Sequence, residues 1–181
     1  MKTKTKKLSL QYGYLSLEKK EVFEACFSVE KEMRKYMKEH YPDETEEFFN
    51  NAKKNVVEEE EPKKDNKPKH KDVKKIYRKL ASKIHPDLTD NEEEKLLFAE
   101  AAEAYRESDL GKLLEIASVV RIDIPNLSDE CLFILQDNIQ ELIKKIDNKK
   151  TTSSWAWYGA KNHEDKMIIL EKIIQTIRSQ R

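Results

Sequence analysis

The stretch that decides the fold runs from Asp72 to Tyr105 and reads DVKKIYRKLASKIHPDLTDNEEEKLLFAEAAEAY. In its first part, apolar residues recur three and four positions apart, as they do along one face of a helix. These apolar residues are Val73, Ile76, Tyr77, Leu80 and Ile84. The basic residues that fall on the opposite face are Lys74, Lys75, Arg78, Lys79 and Lys83. The pattern predicts an amphipathic helix with a strongly cationic outer face.

A second helix is expected after the tripeptide His85-Pro86-Asp87. Pro86 ends the first helix because its ring pushes the preceding residue out of the helical region. Asn91 is a candidate N-cap, and the three glutamates that follow it favour a helix start. The next apolar stripe contains Leu97, Phe98, Ala101, Ala104 and Tyr105. The stretch therefore predicts two antiparallel helices joined by a short His-Pro-Asp loop.

Three segments of this stretch resemble the J-domain of the DnaJ co-chaperone family. They are Ile76–Ala81 (IYRKLA), Lys83–Asp87 (KIHPD) and Phe98–Tyr105 (FAEAAEAY). A bare His-Pro-Asp occurs by chance, whereas the basic helix before it and the Phe-x-Glu-x-x-Glu-Ala-Tyr helix after it make the match specific. The stretch covers about a fifth of the chain. The protein is similar to the J-like proteins of bacteriophages, a divergent class that keeps only the J-domain.

The chain departs from the J-domain pattern on both sides of the hairpin. Family members carry a first helix with a Tyr-x-x-Leu-Gly signature upstream, where this chain has the Glu-, Lys- and Pro-rich segment Val56–Lys71. Downstream, Ser108–Ala117 replaces the usual Asp-Pro-x-Lys-Arg turn. The glycine/phenylalanine-rich region and the Cys-x-x-Cys zinc repeats of larger relatives are absent from this sequence. The hairpin must therefore be braced by another part of the chain.

The resemblance implies that the loop and the basic helix bind a DnaK-type heat-shock chaperone and stimulate its ATP hydrolysis. Asp87 would accept hydrogen bonds from an arginine of that chaperone, a pairing that can be bidentate. The lysines and the arginine of the basic helix would steer the encounter with an acidic surface. The expected chaperone-binding residues are His85, Pro86, Asp87, Lys74, Lys75, Arg78, Lys79 and Lys83.

Helical periodicity continues outside the hairpin. Leu8, Leu15, Val22, Val29 and Tyr36 recur every seven residues, which predicts one long helix over 8–40 in a coiled coil or bundle. A short helix over 110–120 is expected to supply part of the missing brace, and further helices are expected over 128–146 and 164–179. The segment 151–159 between the last two is predicted to be a loop. One of its two tryptophans, at 155 and 157, should plug the end of the bundle.

We therefore expect an all-α protein in which a J-domain-like hairpin lies between the parts of a helical bundle. The N-terminal segment, 1–55, should hold the long helix and a shorter one, and 56–71 reads as a charged linker. The hairpin and its bracing helix should occupy 72–124. The remaining segment, 125–181, is predicted to be a helical hairpin that packs on the N-terminal helix.

Composition narrows the function classes. Charged residues make up 39% of the chain, but 35 basic and 35 acidic residues cancel, so no overall field favours nucleic acid. Its four histidines lack ligand spacing, so no metal or cofactor is expected, and Cys26 and Cys131 read as core positions. No Ser/His/Asp arrangement or phosphate-binding glycine loop is present, and an enzyme is not expected. No segment has the ~20 apolar residues of a membrane span. We expect a protein of the bacterial or phage-infected host cytosol.

Two alternatives stay open at this level. The chain could be a J-like scaffold whose coiled-coil parts tether another assembly without stimulating a chaperone. Nucleic-acid binding through the linker lysines and the tryptophan segment is a weaker reading, because acidic residues beside those lysines neutralise them. In every case the client or partner protein is unknown.

Overall fold

A computed structural model describes residues 2–46, 48, 69–124 and 126–179, and every regular element among them is an α-helix. The expected all-α class is confirmed. The linker expected over 56–71 lies outside the described residues except for its last three positions. The numbered helices are α1 (Lys2–His40), α2 (Lys71–Ile84), α3 (Glu92–Glu107), α4 (Leu110–Val119), α5 (Asp129–Lys150), α6 (Ser153–Gly159) and α7 (His163–Ser179). Residues 42–46 and 48, where a shorter helix was expected after the long one, are also helical.

The chain forms two compact units. The first unit contains Met1–Leu17 and Pro62–Lys144, and the second contains Glu18–Glu61 and Lys145–Arg181. Helices α1 and α5 therefore contribute residues to both units. The domain boundaries expected from the sequence stay a prediction.

Side-chain caps set the starts of the helices in the first unit. The Nδ1 atom of His70 accepts a hydrogen bond from the backbone N–H of Asp72 at the start of α2. Asn91 Oδ1 accepts from the N–H of Glu93 at 2.9 Å, so the cap expected for α3 is present. Asp109 caps α4 in the same way by accepting from the N–H of Lys112 at 3.0 Å.

Helices α2, α3 and α4 pack on one another and bury one apolar face each. The ring of Tyr77 in α2 stacks on Tyr105 in α3 with centroids 4.4 Å apart, and His85 lies against Phe98, earlier in α3. Advancing along α2 thus means moving back along α3, so the two helices are antiparallel. The buried residues of the three helices are Val73, Ile76, Leu80, Ile84, Ala101, Ala104, Leu110, Gly111, Leu113, Leu114, Ile116 and Ala117.

The first part of α1 packs on the start of α4. The phenol of Tyr12 is buried and donates a hydrogen bond to Asp109 Oδ2 at 2.8 Å. Its ring lies directly over Gly111, where a Cβ atom would overlap ring carbons. One turn later, Ser16 donates to Glu115 at 3.4 Å. Residues near the N-terminus therefore brace the helices that surround the His-Pro-Asp loop.

The second unit has its own core around Trp157. The Trp157 side chain is 1% exposed, which confirms the prediction that one tryptophan plugs the bundle. The residue lies in helix α6 and not in the expected loop, because Thr152 caps a short helix by accepting from the N–H of Trp155. The buried residues of this core are Met33, Met37, Trp157, Leu170, Ile173, Ile174 and Ile177.

The long N-terminal helix is present and begins at Lys2, six residues earlier than its periodicity indicated. Val22 is buried, and the other four residues of the predicted heptad series are partly buried. The neighbouring stripe of Tyr12, Cys26 and Met33 is fully buried. Among the helices that the structure describes, none combines the length and the apolar character that a membrane crossing requires.

Candidate functional site

The outer face of α2 is cationic, as its sequence predicted. Lys74, Lys75 and Arg78 are exposed, and none of them forms an ion pair with a residue in the described part of the chain. Together with Lys71, Lys79 and Ser82 they line a shallow depression of about 380 Å³. Three adjacent cations that form no ion pair within the described residues leave a surface suited to an acidic partner.

Two of the expected contact residues are engaged within the first unit. Lys79 Nζ donates a hydrogen bond to the backbone carbonyl of Asp123 at 3.0 Å. Lys83 Nζ donates to the carbonyl of Val120, the residue that follows α4. Both carbonyls belong to the C-terminal end of α4 and the segment after it, where backbone acceptors lack helical partners. We call Lys74, Lys75 and Arg78, toward the start of α2, the free part of the basic face. Lys79 and Lys83, nearer the loop, are held by these two hydrogen bonds.

The His-Pro-Asp segment forms a tight turn. The N–H of Leu88 donates to the carbonyl of His85 at 2.8 Å, and the N–H of Asp87 donates to His85 Nδ1 at 3.2 Å. Because Nδ1 accepts that bond, the ring proton is assigned to Nε2. The Asp87 side chain is 85% exposed. The turn thus presents one carboxylate to solvent on a backbone fixed by two hydrogen bonds.

The His85 side chain is partly packed, although its place in a loop suggested that it would be exposed to solvent. Its side chain is 42% exposed, and its ring meets Phe98 edge-on with centroids 5.0 Å apart. The N–H of His85 also donates to the carbonyl of Ala81, which closes the last turn of α2. His85 therefore positions the loop on α3, whereas the Asp87 side chain is mostly exposed, with Oδ2 3.4 Å from His85 Nδ1.

A second group of polar side chains lies where α2 and α5 begin. His70, Asp72 and Cys131 bring their potential ligand atoms within 4.8 Å of one another. Ser128 donates to Asp72 Oδ2 from its N–H at 3.0 Å and from its hydroxyl at 2.9 Å. The other ring nitrogen of His70, Nε2, is 3.3 Å from a carboxylate oxygen of Glu130. We call these three potential ligands the His70 cluster.

The electrostatics of the cluster follow from burial and hydrogen bonding. Burial alone would raise the pKa of Asp72, but the two hydrogen bonds from Ser128, with smaller contributions from His70 and Lys75, leave this pKa below its ordinary value. Burial raises the pKa of the Cys131 thiol to about 12, and the charge of Asp72 adds to the effect. The thiol is therefore protonated at neutral pH.

Sequence reasoning did not bring the members of this cluster together. It placed His70 in the linker and Cys131 in an apolar core, and the two are sixty-one residues apart along the chain. The one local signal was the His-x-Asp spacing at 70 and 72, which is too short a pattern to indicate a site.

No family model matches this chain, and no curated protein or solved structure is significantly similar to it. The chain therefore inherits no function from a relative, and a functional assignment has to rest on its own side chains. Two groups of side chains are candidates, namely the basic face with its adjoining turn and the His70 cluster.

Proposed function

We propose that the protein is a J-domain co-chaperone that binds a DnaK-type heat-shock chaperone and stimulates its ATP hydrolysis. The observation that carries the proposal is the turn His85-Pro86-Asp87 between a cationic helix and a helix with the sequence FAEAAEAY. The three segments of the resemblance, IYRKLA, KIHPD and FAEAAEAY, follow one another in that order along the chain. The helical bundle of the chain would contact a client or partner assembly.

The exposed carboxylate of Asp87 supports this role chemically. A carboxylate can accept two parallel hydrogen bonds from a guanidinium group, which gives both strength and direction. Such a pair depends on a fixed acceptor, and hydrogen bonds from Leu88 and Asp87 to His85 fix this turn. The edge-on packing of His85 on Phe98 holds the turn against α3.

The free part of the basic face supports the same role electrostatically. Lys74, Lys75 and Arg78 would attract an acidic surface and raise the association rate. Lys79 and Lys83 would contribute positive potential, while their hydrogen bonds to the end of α4 keep α2 in place. The basic face and the turn would thus act as one binding surface.

The chain also offers a substitute for the family's first helix. A hairpin of two helices needs a third apolar surface to bury its core. Here α4 covers both α2 and α3, and Tyr12 from α1 covers the start of α4. The proposal therefore assigns the bracing role to residues 110–119 and to the N-terminal part of α1.

The test is single-turnover ATP hydrolysis by a DnaK-type chaperone with the full-length protein. The wild type should accelerate hydrolysis, and Asp87→Asn should abolish the acceleration with little change in the melting temperature, because the side chain is 85% exposed and the bond to His85 Nδ1 comes from the backbone N–H. Asp90→Asn is the matched control, since Asp90 is an exposed aspartate in the same connection. It should retain full stimulation.

Two results would contradict the proposal. One is a wild-type protein that binds the chaperone or another assembly but leaves its ATP turnover unchanged, which would favour the tethering function. The other is an Asp87→Asn variant as active as the Asp90→Asn control. His85→Gln is less suitable as the main test, because it also removes the contact with Phe98 and should lower the melting temperature.

A further inference from the structure

We propose that His70, Asp72 and Cys131 form a binding site for a divalent transition-metal ion of the zinc class. Imidazole nitrogen, carboxylate oxygen and thiolate sulfur are the three ligand types that zinc takes in proteins. Their potential ligand atoms already lie within 4.8 Å of one another, although they come from two helices that are distant in sequence. The inference is independent of the co-chaperone proposal.

The surroundings of His70 resemble the outer shell of a metal ligand. Nδ1 accepts a hydrogen bond from the N–H of Asp72 and lies 3.9 Å from Asp72 Oδ2, so the ring proton is on Nε2. Nε2 lies 3.3 Å from the Glu130 carboxylate, which is placed to accept that proton's hydrogen bond. Metal-binding histidines typically donate their other N–H to a carboxylate in this way, which fixes the tautomer. The ion would replace the N–H of Asp72 at Nδ1.

The Asp72 carboxylate is held in place by its neighbour Ser128. Both hydrogen bonds from Ser128 reach the same oxygen, Oδ2, which lies 3.9 Å from His70 Nδ1. The Ser128 hydroxyl in turn accepts from the N–H of Cys131 at 3.3 Å. Ser128 therefore links two of the three proposed ligands at the first turn of α5.

The Cys131 side chain is 0% exposed and lies beside a carboxylate. The Asp72 carboxylate stabilises a neutral thiol little. A cation between the Cys131 sulfur and an Asp72 oxygen would be attracted by both atoms. Binding would convert the thiol to a thiolate, form one sulfur–metal bond and release one proton to solvent. Asp72 and the thiolate together would balance the two positive charges of the ion.

The geometry requires a small contraction. Zinc–ligand distances of about 2.0–2.3 Å place the ligand atoms of a tetrahedral site roughly 3–4 Å apart. The ligand atoms of His70, Asp72 and Cys131 lie up to about 1 Å farther apart than in such a site. Small side-chain rotations of His70 and Cys131 would bring them closer. His70 is 23% exposed, so an ion can reach the site from solvent, and a water molecule would fill the fourth position.

Titration of the full-length protein with Co²⁺ tests the site, because a cobalt–thiolate bond has a charge-transfer absorption in the near ultraviolet. The wild type should develop this absorption at one Co²⁺ per chain, and Zn²⁺ should displace it. Cys131→Ser should remove the absorption and weaken Co²⁺ binding at least ~10-fold. Cys26→Ser is the matched control, because Cys26 is also buried but lies in the second unit. It should change neither quantity.

Glu130→Gln provides a second variant, which should fold like the wild type because this side chain is exposed. It should keep the absorption but weaken binding by about 10–100-fold, the usual effect of losing an outer-shell carboxylate. The proposal is overturned if the wild type shows no thiolate absorption, or if Cys131→Ser binds Co²⁺ as tightly as the wild type does. Unchanged affinity in Glu130→Gln would overturn the assigned role of Glu130.

Discussion

At the residue scale, the contact between Tyr12 and Gly111 shows how closely α1 approaches α4. The ring leaves no space for a side chain at 111, since an added Cβ would overlap its Cδ2 and Cε2 atoms. The phenol is anchored by Asp109, whose other oxygen caps α4. Burial and the nearby Asp109 carboxylate raise the pKa of Tyr12, so the phenol stays a hydrogen-bond donor at neutral pH.

This contact makes Gly111→Ala destabilising although alanine is the better helix former. The gain from helix propensity is about 0.5–1 kcal/mol. Forcing the Tyr12 ring out of its position should cost about 1–3 kcal/mol, which exceeds that gain. We expect a lower free energy of unfolding, measured by urea denaturation followed by circular dichroism.

Gly13→Ala is the internal control for that measurement. Gly13 also lies inside a helix, but an added Cβ would meet no atom within 4 Å. This variant should be more stable than the wild type by about 0.5–1 kcal/mol. If both substitutions stabilise the protein, the packing of Tyr12 on α4 is looser than described.

The residue scale is also where sequence reasoning was weakest. The sequence placed five basic side chains on one face of α2, and the structure shows that two of them bind backbone carbonyls near the end of α4. Those carbonyls lie about forty residues away, so no local pattern could identify them. For the same reason the approach of His70 to Cys131 was not foreseen.

At the element scale, the division of the basic face of α2 gives its lysines different roles. Charge reversal at Lys74, Lys75 and Arg78 should slow association with the chaperone and change the dissociation rate little, because exposed charges act mainly by steering. The effect should shrink as ionic strength rises, since screening shortens the range of the attraction. Stopped-flow or biosensor kinetics at several salt concentrations measure both rates.

A triple reversal elsewhere controls for total charge. Lys31, Lys38 and Lys172 are exposed residues of the second unit, and their reversal changes the net charge equally. This control should leave the association rate close to that of the wild type. Equal slowing by both triple variants, or association that does not depend on salt, would show that the basic face does not steer the encounter.

Hydrophobic periodicity predicted most of the helices because each of them buries a single apolar face. Helices α2, α3, α4, α5 and α7 all fall within the expected segments to within a few residues. Helix α6 was missed because seven residues are too few for a periodic signal, and its sequence SSWAWYG ends in glycine. Its main local signal was a threonine at the N-cap, a residue type that turns also use.

At the scale of the whole molecule, each unit has its own core, and both tryptophans belong to the second. The indole N–H of Trp157 donates to Glu32 at 3.0 Å, and Lys166 donates to the same carboxylate at 2.7 Å. The hydrogen bond from Lys166, which has the larger effect, and the one from Trp157 lower the pKa of Glu32 below its ordinary value. The ring therefore has an apolar environment and a satisfied polar atom.

Replacing Trp157 with alanine should reduce the free energy of unfolding by about 3–5 kcal/mol, because it leaves a large cavity among buried methionine, leucine and isoleucine side chains. Urea denaturation followed by circular dichroism gives this value. Trp155→Ala should cost clearly less, since its ring is only partly buried and stacks on Tyr158.

Fluorescence provides an independent check on the same residue. In a Trp155→Phe variant, Trp157 is the sole emitter, and its emission should be blue-shifted and shielded from iodide. Red-shifted, fully quenchable emission from that variant would contradict the described burial.

The sharing of α1 and α5 between the two units has a consequence for inheritance. The helices around the His-Pro-Asp turn occupy one continuous stretch of sequence, yet their brace at Tyr12 belongs to a separate stretch that precedes the residues of the second unit. A recombination event that transferred only 69–124 into another gene would leave Gly111 and Asp109 uncovered. The hairpin therefore keeps this brace only when the first turns of α1 are transferred with it, so it is not encoded as one continuous module.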